Sequence, residues 1–348
     1  MEKNIFLEKH CGVTLGFYAK NGYYSSPKSK EEVDKIAETG ANWIVLIVTV
    51  MQENFYSTRQ FRDFENTPND IELKEIIDYI HEKGIKVQLR PMLECFDGKG
   101  RLGVTFPANG ERIPGLVCDY CSRWFDSMTK RSVYYARIAE MTGCELFCLD
   151  SELDHIIKFH KEWKEVIRRV REVYSGPITS CHTIHTKVID FEKELANRDH
   201  WFYDLDALSI SAYIKAADKP GFTVEEMAMY MIPERDKLRR IAALYEKPIF
   251  FGEIGCTSTF GAAKSPAAYK VATSYDEDEQ ANYLEAVMRV FSEESWWHGL
   301  YWWKWDEQIA RPWILDPSLG DRGFGVHGKK AQSVMKSWFE KLGEKGEE

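Results

Sequence analysis

Apolar and polar positions along the chain fall into two alternating textures. One is a short apolar run: "CGVTLGFY" (11–18), "ANWIVLIVTV" (41–50), "IKVQLRPM" (85–92), "CELFCLDSEL" (144–153), "PITSCHTIH" (177–185), "LDALSISAYI" (205–214), "KPIFFGEIGC" (247–256) and "HGLYWWKWD" (298–306). The second of these is continuous, β-branched and short, the pattern of a strand buried on both faces. The other texture is longer, with apolar residues at helical spacing: 29–40, 68–84, about 120–141, 154–174, about 187–197, 223–247, about 275–294 and about 329–342. Ser29 stands where an N-cap is expected and Gly40 where that helix stops. Pro233 is expected to break the helix over 223–247. The stretch 93–117 reads as a long loop, and loops of that length in barrels carry function.

Strands and helices in strict alternation predict a parallel sheet. Eight such units without a linker predict an α/β fold, a (β/α)8 TIM barrel, as a single domain over residues 1–348. An open doubly wound sheet would want a Gly-rich phosphate loop after the first strand, and "GFYAKNGYY" has none.

Composition narrows the function. A formal net charge of -9 and the lack of a basic stripe speak against a nucleic-acid partner. No apolar run approaches membrane-spanning length. "MEKNIFLEKHCG" lacks the apolar core of a secretory signal, so a cytoplasmic location is expected. Aromatic residues reach 14%, with 11 Trp, more than a core needs; the surplus rings suit sugar faces as well as packing. The eight Cys are scattered and are expected to be free. Cys118 and Cys121 have zinc-like spacing, with Cys144 and Cys148 as the nearest partners. No metal and no cofactor are expected.

In such barrels the chemistry sits at the C-terminal ends of the strands. Those ends carry Tyr18, Arg90, Glu94, Asp150, Ser151, Glu152, His182, His185, Tyr213, Glu253, Trp303, Lys304, Trp305 and Asp306. Glu152 and Glu253 each follow a strongly apolar run, where an unpaired carboxylate would be costly, so each is either paired or employed. Strands four and seven face each other across a barrel mouth. Two carboxylates around one cavity are what glycosidic hydrolysis needs: one donates a proton, the other is ionised. For either Glu alone, an ion pair at the rim, for example with Arg90, is the simpler reading.

These residues resemble those of clan A glycoside hydrolases, and the chain looks closest to glycoside hydrolase family 113. The likeness rests on "ELFCLDSEL", "KPIFFGEIGC", "DEQANYLEAVMRVF", "GLYWWKWD" and "DRGFGVHGKKA". It implies Glu152 as general acid/base and Glu253 as nucleophile of a retaining β-glycosidase, acting on β-mannan-type oligosaccharides by double displacement. Ser151 occupies the place where many clan members carry an Asn that holds the sugar 2-hydroxyl. Tyr18, Arg90, Ser151, His182, Tyr213, Trp303, Trp305 and Asp306 are the expected sugar contacts, Tyr213 also bonding the nucleophile. Trp303 and Trp305, sharing one face of strand eight, are expected to floor the pocket. A β-glucoside, β-galactoside or hexosaminide substrate, and a non-catalytic sugar-binding barrel, stay as alternatives. Endo or exo action and oligomeric state are left open.

Overall fold

The computed structural model describes residues 5–106, 110–113, 116–269, 273–305, 315–316 and 320–344. Eight parallel strands form its centre: β1 (His10–Leu15), β2 (Trp43–Gln52), β3 (Lys86–Cys95), β4 (Leu146–Ser151), β5 (Ile178–Thr183), β6 (Leu208–Ser211), β7 (Ile249–Ile254) and β8 (Trp297–Trp302). Each pairs with the next, and β8 pairs with β1, so the sheet closes into a (β/α)8 barrel. The helices between and after them are α1 (Pro27–Ala37), α2 (Asp70–Glu82), α3 (Tyr120–Thr142), α4 (His160–Arg171), α5 (Phe191–Ala196), α6 (Val224–Tyr245), α7 (Glu277–Phe291) and α8 (Lys330–Glu344).

The alternation within β2 shows how sequence becomes layers. Trp43, Val45 and Ile47 point into the barrel with Phe250 and Tyr301. Ile44, Leu46 and Val48 point outward, against the helices. All six are fully buried. Burying each aliphatic side chain contributes about 1.5–3 kcal/mol relative to exposure. Close packing inside the barrel needs a bare position on β1, because a Cβ on Gly12 would lie 2.0 Å from the Tyr301 ring. β2 and β3 pair over ten residues, from Trp43–Lys86 to Gln52–Cys95. That extra length carries Glu94 up one side of the mouth.

Several boundaries differ from the sequence reading. α1 is capped by Ser26, with Pro27 in its first turn; the Ser29 hydroxyl donates to the Tyr24 and Ser26 carbonyls. α6 runs unbroken through Pro233, its capping box at Thr223 and Glu226 and its face at Met227, Met231, Leu238 and Ile241 outweighing one lost bond. The segment expected to be helical from 154 opens instead as a short 3-10 turn, Asp154–Ile156. Asp154 is drawn away by β5: its carboxylate accepts from the Thr183 amide at 3.2 Å and bonds the Thr183 hydroxyl. The loop after β3 holds a turn, Arg101–Gly103, and a hairpin, Gly110–Ile113 with Leu116–Cys118. Among the described residues no helix is long and apolar enough to cross a membrane.

Candidate active site

A cavity of about 980 Å³ opens at the C-terminal mouth of the barrel, bordered by Tyr18, Arg101, Glu152, Tyr213, Glu253 and Trp303 among others. Its size suits a ligand pocket.

Glu253 enters it from β7, where Gly252 makes room: a Cβ there would lie 1.7 Å from Ser209 Oγ. The Glu253 carboxylate is 1% exposed, and protein donors surround it. Oε1 accepts from Arg90 Nη1 at 2.9 Å and from the Ser151 hydroxyl at 2.6 Å. Among the described residues, Oε2 has only a long contact, 3.5 Å, from the Tyr213 hydroxyl. Arg90 is fixed in turn by Gln88 Oε1 and the Gly252 carbonyl.

Glu152 follows directly on β4. Its backbone turns left-handed, φ 62°, while its amide still donates to the Cys181 carbonyl of β5 at 2.8 Å. Its Oε1 accepts from the Ser211 hydroxyl at 2.7 Å, and its Oε2 lies 3.5 Å from Arg101 Nη2. Arg101 is meanwhile bonded to Glu94.

Burial pushes both carboxyl groups above the usual range. For Glu253 the nearby Glu152 adds to the push, while Arg101, Arg90 and the Ser151 hydroxyl oppose it. For Glu152 the opposition comes from Arg101 and then the Ser211 hydroxyl. The two groups titrate as a pair, and the fuller donor set on Glu253 favours ionisation there over Glu152. Burial and the Glu253 charge also drive the Tyr213 phenol well up, so it stays a donor.

Tyr18, Tyr213 and Trp303 border the cavity together with the two carboxylates. Phe17 supports Trp303 at 4.9 Å between ring centroids. Four expected sugar contacts are placed otherwise. Arg90 and Ser151 are fully buried and each donates to Glu253, and neither borders the cavity. His182 lies behind the wall, its Nδ1 3.1 Å from Asp154 Oδ1 and its ring against Trp201 and Phe202. Trp305 faces outward, donating to Glu32 of α1 at 2.6 Å. β8 stops at Trp302, so strand alternation does not carry on to position 305; the Trp303–Lys304 peptide is cis. Asp306 lies outside the described residues.

Arg101 and Ser211 are the site residues that the strand-end reading missed. Ser211 is the last residue of β6, and Arg101 sits in the long loop already marked by its length. Glu94 and His185, both noted at strand ends, also border the cavity.

Two groups of residues have donor types that suit a metal ion. Cys121, Cys144 and Cys148 are free thiols, and the Cys118 side chain lies outside the described residues. His160, Glu194 and His200 bring one potential ligand atom each to within 4.8 Å of one another. However, His200 Nδ1 accepts the Phe202 amide at 3.1 Å, so its Nε2 carries the proton and has no lone pair to give.

The sequence matches no curated protein. Among solved structures, a family 113 β-mannanase from Alicyclobacillus acidocaldarius, in complex with ManMIm, superposes with a TM-score of 0.80 at 27% identity, covering 97% of this chain and 99% of that one. A family 113 β-1,4-mannanase complex gives 0.78 at 26% identity, covering 96% and 99%. A family 5 mannosidase from Rhizomucor miehei shares the fold at a TM-score of 0.64 and 12% identity, covering 98% and 94%. The profile of Glycoside Hydrolase Family 113 matches residues 13–329, from β1 to the connection before α8. So long a match, on a barrel of this form, means that the chain is a glycoside hydrolase and belongs to family 113.

Proposed function

We propose that the protein is a retaining β-glycoside hydrolase acting on β-mannan-type oligosaccharides, with Glu253 as nucleophile and Glu152 as acid/base. The carrying observation is the unequal treatment of two carboxylates on one cavity. Glu253 is held by Arg90 and Ser151 through Oε1, which favours its ionised form over that of Glu152 and leaves Oε2 to attack. Glu152 is held by one hydroxyl and a more distant guanidinium, which suits a group that must both give and take a proton.

In the first step Glu253 Oε2 forms a bond to the anomeric carbon. The bond from that carbon to the leaving oxygen breaks as Glu152 gives the oxygen its proton. In the second step Glu152, now a carboxylate, takes a proton from water, whose oxygen displaces Glu253. The sugar leaves with its original configuration and both carboxyl groups return to their starting states. Tyr18 and Trp303 offer rings to the apolar sugar faces at the cavity. The mannan-type substrate is supported by the two family 113 β-mannanases that align over nearly the whole chain.

Proton NMR of early hydrolysis tests the mechanism. The β-anomer is expected first, and initial release of the α-anomer would rule out double displacement. A specific observation favours a second reading of the substrate. Ser151 gives its hydroxyl proton to Glu253, so it has no donor left for the sugar 2-hydroxyl, and a different β-glycoside fits the same machinery. A panel of nitrophenyl β-glycosides separates the two: the mannoside or mannobioside is expected to turn over fastest.

A further inference from the structure

Beside Glu152 lies a half-buried ion pair that the two-carboxylate mechanism does not by itself require. Arg101, in the short turn after β3, is 8% exposed and borders the cavity. Its Nη1 donates to Glu94, and its Nη2 lies 3.5 Å from Glu152. Glu94 rises from the end of β3 onto the same cavity. One guanidinium is therefore shared between two carboxylates.

An arginine is the wrong neighbour for a general acid. A cation this close favours the carboxylate form and lowers its pKa by about 1–3 units. Glu94 supplies the remedy, since it places an anion on the nearer face of the same guanidinium. Other groups face Glu152 too. Asp154 follows on its own connection, Glu253 and Tyr213 approach from the β7 and β6 ends, and Ser211 donates from β6. His185 and Lys304 stand on the cavity wall. Among the described residues, Arg101 is the one cation within ion-pair distance of Glu152.

We propose that Glu94 and Arg101 are positioning residues for the general acid, Glu94 offsetting the charge that Arg101 brings to Glu152. This rests on the acid/base assignment of Glu152 made above. The balance of forces on each group agrees: burial raises Glu152 and Arg101 opposes, with Glu94 adding to the rise. Glu94 is itself raised by burial and drawn back by Arg101.

The test is kcat/KM against pH for the parent, Glu94→Gln and Arg101→Met. A phenyl glycoside of the best sugar in the panel serves as a substrate that needs the acid. The matching dinitrophenyl glycoside, whose leaving group departs unprotonated, is the control. The basic limb reports loss of the proton from the acid. In Glu94→Gln the full charge of Arg101 acts on Glu152, and that limb is expected to move down by about one pH unit. In Arg101→Met it is expected to move up, again by about one unit. Both shifts should appear with the phenyl glycoside, while the dinitrophenyl substrate keeps its kcat/KM above the limb. Unmoved limbs, or equal losses on both substrates, overturn the proposal and mark the pair as merely structural. If Arg101→Met does not fold, Glu94→Gln, which keeps the shape of the side chain, decides alone. Failure of the underlying assignment looks different: Glu152→Gln would then hydrolyse the phenyl glycoside as fast as the parent.

Discussion

At the floor of the barrel His10 is wholly buried, its Nε2 donating to the Ile5 carbonyl at 3.0 Å and its Nδ1 accepting from the Tyr301 hydroxyl at 2.9 Å. Its ring stacks on Trp43 at 4.4 Å. At the mouth Glu253 is nearly as hidden and Glu152 is half-buried, yet each keeps an oxygen only loosely engaged, on a cavity that a ligand can enter. Burial alone therefore does not mark the site; what separates the two ends is polar capacity that the protein has not used up.

The ends also respond to pH with opposite sign. Burial lowers His10 from 6.5 to about 3. The unfolded chain takes up that proton as pH falls below 6.5 while the native chain does not, so stability is lost on acidification. The mouth carboxyls are raised above 4.5. Unfolded, they ionise from 4.5 upward while the native chain still resists, so their contribution is lost as pH rises.

Four measurements test this contrast. Glu253→Ala should cut kcat by more than about 10⁴-fold, the scale seen when a nucleophile is lost; a variant within tenfold of the parent would erase the distinction between the ends. Trp43→Ala at the floor should lower unfolding free energy by about 3–5 kcal/mol in urea titration, with KM and kcat unchanged at temperatures where it stays folded. His10→Gln should flatten the acid side of the stability curve, removing a slope of about 1.4 kcal/mol per pH unit between pH 6.5 and about 3. The smallest effect belongs to Ser211→Ala. Removing a donor from the charged form of Glu152 should raise the basic limb of kcat/KM by less than about one pH unit.

The barrel was legible in the sequence wherever burial alone decides the pattern. β2, with ten buried positions, has no other reading, and the two carboxylates stood out because an apolar run leads into each. Partners from elsewhere in the chain were legible only in part. Arg90 was read as an ion-pair partner for a mouth carboxylate, and it does meet Glu253, 163 positions away, but from a fully buried place and not from the rim. His182 was read as facing sugar, but Asp154 holds it from the neighbouring connection. Trp305 followed from strand periodicity, which ends three residues earlier. Arg101 lies in a loop without period, so only its three-dimensional neighbours reveal it.

The backbone at Glu152, φ 62°, is one in which a side chain costs about 1–2 kcal/mol and glycine nothing comparable. The backbone on its own would sooner have glycine at this position, where the proposed acid/base stands. The strain is thus kept at a residue that the packing of the barrel does not need, beside the cavity that a ligand can enter.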